Sequence, residues 1–330
     1  MTKLSVLDLA TICEGDSPAV ALQKSLRLAQ RAEALGYERF WMAEHHSMPG
    51  VASAATAVVM AHVAAGTHSI RVGAGGIMLP NHAPLVIAEQ FGTLESLFPG
   101  RIDLGLGRAP GSGAYTQRAL RRSRDAADRF VEDVQELQFW FRRPRPGQPV
   151  VAIPGAGLDI PLWILGSSLF GATVAADLGL PFAFASHFAP AQIDEAVARY
   201  RERFQPSAQR TAPHLMLAVN IVCAERDEDA HHMYSSLQRA YLRLAAGTPA
   251  PFPPPSKFDP DGTDRALLDH ALSMSVVGGP ATVRAGLQRL IDRYQPEELI
   301  ATVPVFDFEA RLRSLELAAG AAQALAVSLQ

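Results

Sequence analysis

Residues 98–108 read FPGRIDLGLGR, and this stretch shows the pattern that decides the fold. A turn at Pro99 and Gly100 is followed by a strand candidate at residues 102–107, and Arg108 lies in the glycine-rich turn that comes next. A short apolar run bounded by turn residues is typical of a buried parallel strand. The stretch therefore predicts such a strand, with a charged side chain just after its carboxyl end.

The same arrangement recurs along the chain, where strand candidates alternate with helical patterns that end at residues such as Gly36. This alternation is typical of parallel βαβ units with right-handed crossovers. Eight units in about this length favour a closed barrel over an open doubly wound sheet. We therefore predict an α/β protein, a (β/α)8 TIM barrel forming a single domain over residues 1–330. The predicted strands are residues 4–9, 39–43, 70–74, 102–107, 162–166, 182–186, 215–223 and 299–303.

Composition narrows the range of functions. The net charge of −3 provides no basic field that would attract nucleic acid or an anionic membrane surface. Nowhere does the sequence reach the ~20 uninterrupted apolar residues of a membrane-spanning helix. Cys13 and Cys223 are too few for a disulfide framework, and the first residues lack a secretion signal. We expect a cytoplasmic protein that acts on a small molecule, with no nucleic acid or membrane as partner.

Two segments interrupt the alternation. Residues 144–161 are rich in proline and glycine and are predicted to form a loop. Residues 247–262 contain six prolines and follow the seventh strand and its helix. Their length favours a mobile active-site lid, and a passive surface insertion remains the alternative.

Polar or glycine-rich groups follow five of the predicted strands. Since the active sites of such barrels lie at the carboxyl ends of the strands, these groups are expected to surround one pocket. They are Glu44-His45-His46, Gly75-Gly76, Gly107-Arg108, Gly166-Ser167-Ser168 and Ser186-His187.

Two of these groups are suited to binding a phosphate. The guanidinium of Arg108 can pair with phosphate oxygens. Ser167 and Ser168, after Gly166, lie where the fifth strand passes into its helix, whose first N–H groups attract anions. A plain helix cap and a surface ion pair are the structural alternatives.

Glu44, His45 and His46 suggest acid–base chemistry. Adjacent residues of an extended strand end point in opposite directions, which weakens a metal site built from His45 and His46, and we predict no metal. One histidine facing the pocket, oriented by Glu44, is suited to proton transfer, although a histidine at a strand end can also be purely structural.

Gly75 and Gly76 stand where larger side chains are usual at a strand end. Glycine there permits a close backbone approach to a flat ring or an unusual peptide geometry, and a tight turn is the alternative.

The motifs together resemble the bacterial-luciferase-like family of flavin-dependent oxidoreductases. The stretches that carry the resemblance are WMAEHH at 41–46, VGAGGIMLP at 72–80 and FPGRIDLGLGR at 98–108, with shorter matches at 179–181 and 277–280. The resemblance implies a (β/α)8 barrel that binds FMN, with the phosphate at Arg108 and the Gly166-Ser167-Ser168 turn. It also implies a catalytic role for His45, a cis peptide between Gly75 and Gly76, and a mobile loop in the proline-rich segment.

The activity implied by the resemblance is that of a monooxygenase. It would use reduced FMN from a separate flavin reductase, together with dioxygen, to oxidise a small organic substrate. The resemblance also implies a homodimer that forms through helices early in the barrel. Gly107 stands where the luciferase catalytic subunit has a reactive thiol, and we predict no luminescence. A deazaflavin-dependent hydride-transfer enzyme and a non-catalytic flavin-binding subunit are the alternatives.

Overall fold

The computed structural model describes residues 2–109, 113–122 and 125–327, and the far part of the turn predicted after Arg108 lies outside them. Nine parallel strands form one sheet. They are β1 (Lys3–Asp8), β2 (Arg39–Met42), β3 (Arg71–Met78), β4 (Ile102–Gly107), β5 (Leu162–Gly166), β6 (Phe182–Phe184), β7 (Leu215–Cys223), β8 (Ser275–Gly278) and β9 (Glu298–Thr302).

Eight of these strands close into a barrel, which confirms the predicted fold. β1 to β7 pair in chain order, β7 pairs with β9, and β9 returns to β1. β8 was not predicted. It pairs with Asn220–Cys223 at the end of β7, whereas the predicted eighth strand at 299–303 corresponds to β9.

Eleven α-helices are described around the barrel, and none of them is both long and apolar enough to cross a bilayer. They are α1 (Pro18–Ala34), α2 (Thr56–Ala65), α3 (Pro84–Leu97), α4 (Ala114–Ala119), α5 (Phe130–Trp140), α6 (Leu169–Asp177), α7 (Ile193–Arg203), α8 (Asp227–Ala245), α9 (Gly262–Ala271), α10 (Pro280–Tyr294) and α11 (Phe308–Val327). Short 3-10 turns at Leu79–Asn81 and Ala126–Arg129 complete the assignment.

The side-chain period of two divides the apolar residues of each strand between two cores. In β2, Phe40 and Met42 belong to the large core between barrel and helices, and Trp41 belongs to a small core inside the barrel. The inner core also contains Leu7, Ala43, Trp163, Ala183, Met216, Ala218 and Ile300. The barrel interior is therefore apolar at mid-height, below the carboxyl ends of the strands.

Charged residues occupy the opposite, amino-terminal end of the barrel interior. Arg39 on β2 contacts Asp103 on β4 at 2.7 Å and Glu298 on β9 at 3.0 Å. Arg71 on β3 contacts the other oxygen of Asp103 at 2.6 Å, and the hydroxyl of Ser5 on β1 donates to Glu298. These five side chains, here called the basal ion network, join strands that are distant in the sequence.

The two long loops, at residues 144–161 and in the proline-rich segment 247–262, lie at the predicted positions. Residues 144–161 contain no helix or strand, as predicted. In the proline-rich segment, Phe252 is buried and pairs with the loop after β1, where its N–H donates to Ile12 and its carbonyl accepts from Glu14. This attachment fixes one point of the segment, and its role as a lid stays a prediction.

Candidate active site

A cavity of about 480 Å³, here called cavity A, opens at the carboxyl ends of the barrel strands. This volume lies within the usual range of small-molecule sites. All of the predicted site residues except Glu44 line it, and His187 lines it as well. The predicted residues brought together there are His45, Gly75, Gly76, Arg108, Gly166, Ser167 and Ser168.

The deep walls of cavity A are apolar. Leu7, Trp41, Ala183 and Ile300 of the inner core reach it from four strands. The indole N–H of Trp41 donates to Asp103 of the basal ion network at 3.2 Å, so that this polar atom already has a partner. A flat, largely apolar group fits these walls without leaving a buried donor unpaired.

One side of the mouth is suited to an anion. Ser168 occupies the N-cap position of α6, yet its side chain makes no capping hydrogen bond, which differs from the plain cap considered above. The Arg108 guanidinium lies 4.2 Å from the centre of the Phe170 ring in the first turn of that helix. Its side chain is 41% exposed and its contact with Asp128 is 3.6 Å long, a weak surface pair. A cation and the start of a helix therefore converge at this wall.

Gly76 lies in close contact with the backbone of β4, whereas a Cβ atom on Gly75 would meet the side chains of Leu7 and Trp41. The peptide bond between Gly75 and Gly76 is cis, as the resemblance implied. A Cβ atom on Gly76 would lie 2.8 Å from the carbonyl oxygen of Gly105, and one on Gly105 would lie 2.2 Å from that of Ala74. The prediction that the glycines end the third strand is wrong, because β3 continues to Met78 after a register shift. Glycine is required here by contact between two backbones.

His45 and His46 point to different environments, as expected for adjacent residues after a strand. His45 lines cavity A, and His46 contacts the carboxylate of Glu44 at 2.7 Å. Burial lowers the pKa of His45 below its usual value, although the charge of Glu44 opposes that change. The ring is therefore mostly neutral at pH 7 and able to accept a proton.

Glu44 forms hydrogen bonds with partners that the sequence did not predict. Its buried carboxylate contacts the Nε2 atoms of His46 and His82 at 2.7 and 2.9 Å, and it accepts from the N–H of Met78 at 3.0 Å. Among the described residues no hydrogen bond joins Glu44 to His45, and the predicted role of Glu44 in orienting His45 stays a prediction. Burial alone would raise the pKa of Glu44, but the hydrogen bond and charge of His82, together with the His46 and Met78 contacts, lower it. The contact with His82 was not predicted, because His82 lies 38 residues after Glu44 in the sequence, in the turn after β3.

The same trio also has the spacing of metal ligands, since one ligand atom from each of Glu44, His46 and His82 lies within 4.8 Å of the others. This combination includes His46 and His82 but not His45, and so differs from the adjacent pair that strand geometry disfavours. The N–O contacts of 2.7 to 3.0 Å are ordinary hydrogen-bond lengths, so a carboxylate shared by two imidazoles accounts for the arrangement.

Sequence comparison gives the same picture over most of the chain. The family model for luciferase-like monooxygenases matches residues 2–294. A "luciferase-like monooxygenase" of Escherichia coli (strain K12) is 49% identical over 320 residues, covering 95% of each chain. The N-acetyl-S-alkylcysteine monooxygenase of Bacillus subtilis (strain 168) is 36% identical over 247 residues, covering 70% of this chain and 71% of that one.

Solved structures with the same fold include the apo form of MsnO8, with a TM-score of 0.89 and 37% identity over 98% of this chain and 99% of that one. Two more distant structures carry different cofactors. They are the oxygenating component of 3,6-diketocamphane monooxygenase from Pseudomonas putida with FMN (TM-score 0.73, 17% identity, coverage 96% and 97%) and a secondary alcohol dehydrogenase with an F420–acetone adduct (0.72, 14%, 97% and 98%). At such identities the likeness concerns the fold alone.

Proposed function

Because the chain belongs to the family of luciferase-like monooxygenases, we propose that it is a flavin-dependent monooxygenase that oxidises a small organic substrate with dioxygen and reduced FMN. One observation carries the proposal: Arg108 with the start of α6, the glycine backbone of β3, apolar walls and His45 all line cavity A. The B. subtilis relative, named as a monooxygenase of a small cysteine derivative, supports the reaction class.

The donor set of cavity A fits a phosphate-bearing flavin. Arg108, Ser167, Ser168 and the first turn of α6 would hold the phosphate, because the Ser168 side chain makes no capping bond and the Arg108 pair with Asp128 is weak. Arg108 Nε donates to the carbonyl of Ala127 and the N–H of Leu169 to the side chain of Gln192, so the guanidinium's terminal N–H groups and the next N–H groups of α6 are the donors proposed for the phosphate. The glycine backbone of β3 and the apolar inner core would hold the ring. When bound, reduced flavin supplies the electrons with which dioxygen is activated.

The chain's own residues then have three tasks. The apolar walls exclude water from the reacting groups. His45, with its lowered pKa, accepts or donates a proton at its ring nitrogen facing cavity A. Glu44 is a positioning residue, because its bonds to His46, His82 and Met78 hold together the chain segments that follow β2 and end β3.

The assembly proposed is a cytoplasmic homodimer supplied by a separate flavin reductase. Large apolar side chains of Val58 on α2 and of Val86 and Leu97 on α3 are exposed, which supports pairing through these helices. Both cysteines are free thiols, which supports a reducing compartment. Sedimentation of the wild type and of Val58→Asp tests the dimer, and the variant is expected to be monomeric.

The decisive test is cofactor titration by fluorescence quenching. We expect wild type to bind FMN more tightly than riboflavin or a deazaflavin coenzyme, and Arg108→Gln to weaken FMN binding about tenfold while leaving riboflavin binding unchanged. The matched control is Arg129→Gln, an exposed arginine of the same region outside cavity A. Preference for the deazaflavin would favour the hydride-transfer alternative, and no binding of either would refute the proposal.

A second measurement addresses turnover. With a flavin reductase and a nicotinamide reductant, we expect His45→Ala to bind FMN like wild type and to lose most of the coupled oxygen consumption. Unchanged consumption would remove His45 from the mechanism, and no consumption by wild type above the reductase background would favour a non-catalytic flavin-binding protein.

A further inference from the structure

His187 is a second histidine that lines cavity A. It comes three residues after the end of β6 and lines the cavity between apolar residues of the same segment, Phe184 and Phe188. Its ring meets that of Phe188 edge to face, with centroids 4.7 Å apart. Its Nδ1 atom is enclosed and has no hydrogen-bond partner among the described residues.

Few side chains remain to recognise the polar atoms of a flavin ring. Among the described residues lining cavity A, those with N–H or O–H groups are Trp41, His45, Arg108, Ser167, Ser168 and His187. Trp41 is bonded to Asp103, and Arg108 and the two serines form the anion-binding wall. Only the imidazoles of His45 and His187 remain. They follow β2 and β6, which lie four places apart in an eight-stranded ring and hence on opposite walls.

The two imidazoles differ in what they can do. Burial, with a contribution from His45, lowers the pKa of His187 to about 3, so its ring is neutral at every pH at which such an enzyme works. His45 has Glu44 nearby, which favours its charged form. Proton transfer is thus suited to His45, and a constant, uncharged hydrogen bond is suited to His187.

The surroundings of the ring also indicate which nitrogen carries the proton. An N–H group enclosed without an acceptor is costlier and rarer than an unpaired acceptor. The proton of the neutral ring therefore belongs on Nε2. Since Nδ1 is enclosed while the half-buried ring lines cavity A, the accessible edge of the ring is the one that carries Nε2.

We infer that His187 is a flavin-binding residue whose Nε2–H donates a hydrogen bond to an acceptor atom of the flavin ring, on the wall opposite His45. The inference rests on the proposed function, since it requires a flavin in cavity A. It assigns recognition of the ring to β6 and recognition of the phosphate to β4 and β5.

The test uses three variants of the full chain, titrated with FMN and separately with riboflavin. His187→Leu removes the donor, and we expect it to weaken the binding of both flavins about five- to tenfold. His187→Gln keeps an N–H group at a similar reach and is expected to remain within about twofold of wild type. His62→Leu is the matched control, because His62 on α2 also has an enclosed, unpartnered nitrogen but lies outside cavity A.

The outcomes separate this inference from the proposed function. If His187→Leu binds FMN as tightly as wild type does, the inference is overturned and the proposed function is not. An equal loss of affinity in His187→Leu and His187→Gln would also overturn it, because it would indicate that the side chain acts through packing. A loss confined to FMN would assign His187 to the phosphate and also overturn it. If wild type binds no flavin, both proposals fall. Thermal unfolding of each variant checks that the protein is folded before titration.

Discussion

Arg39 offers the sharpest test of what holds the barrel together. Its buried guanidinium contacts two carboxylates, Asp103 at 2.7 Å and Glu298 at 3.0 Å, whose side chains are fully enclosed. The substitution Arg39→Met keeps an unbranched side chain as far as the position of Nε and removes the charged group beyond it. Both carboxylates then lose a partner that they cannot replace with water.

The expected loss is large for one substitution. Removing one partner of a buried ion pair typically costs about 3–5 kcal/mol, because the remaining charge is left uncompensated. Arg71 still contacts Asp103 at 2.6 Å, which limits the damage on that side. We therefore expect the free energy of unfolding to fall by about 3–4 kcal/mol.

Urea unfolding followed by tryptophan fluorescence measures this loss directly, since the Arg39 guanidinium lies 5.0 Å from the centre of the Trp163 ring. Lys3→Met is the control. Lys3 pairs with Glu38 at the surface, and its loss should cost less than about 1 kcal/mol.

Neutralising Glu298 gives the complementary test. The double variant Arg39→Met, Glu298→Gln should be more stable than Arg39→Met alone, because the enclosed Glu298 side chain is then uncharged while Asp103 keeps Arg71 as its partner. An Arg39→Met loss below about 1 kcal/mol, or a double variant less stable than the single one, would refute the electrostatic explanation.

Three further predictions concern other parts of the molecule. Gly105→Ala places a methyl group against a carbonyl oxygen of β3 and should cost about 1–3 kcal/mol in urea unfolding, whereas Gly320→Ala, with open space around it, should not destabilise the protein. The pKa of His187 is about 3 in the folded protein and ~6.5 in the unfolded chain, so the unfolded chain binds more protons as the pH falls below ~6.5. The His187 contribution should therefore make wild type about 2 kcal/mol less stable at pH 5 than at pH 7. His187→Leu should lack this contribution, and equal pH dependence of stability in both proteins would contradict the prediction. Cys13 and Cys223 are buried, and burial raises the pKa of both thiols, that of Cys223 to about 12; a disulfide reagent at pH 8 should label them slowly in the native protein and fully in urea, and rapid native labelling would show that the sites open.

The sequence predicted some strands to the residue and others less well, for physical reasons. β4, β5 and β7 have the predicted bounds, since each is an apolar run between clear turn residues. β6 ends two residues before its predicted end, because the chain turns at Ser186, whose N–H donates to the carbonyl of Phe184. β8 is only four residues long, so its sequence carries little periodicity, and it pairs alongside the last residues of β7 outside the barrel ring.

The site was predictable where it depends on the ends of strands. His45, Arg108 and Ser168 meet in cavity A because parallel strands present their carboxyl ends on one rim. The partners of Glu44 were not predictable, since His82 reaches it from a turn whose path depends on the chain trace after β3. The basal ion network was missed for a similar reason, since Arg39, Asp103 and Glu298 meet only after the barrel closes.

The contact between Gly76 and Gly105 has a consequence for how relatives with this barrel can acquire new substrates. No side chain fits between the two backbones, so this wall of the cavity presents the same surface to any ligand whatever the neighbouring residues. Selection for a different molecule must therefore act on other walls, such as that around Phe184 and Phe188 after β6, and on segments above the rim. In directed evolution, libraries aimed at β6 and the loop that follows it should change specificity while the glycine wall is left untouched.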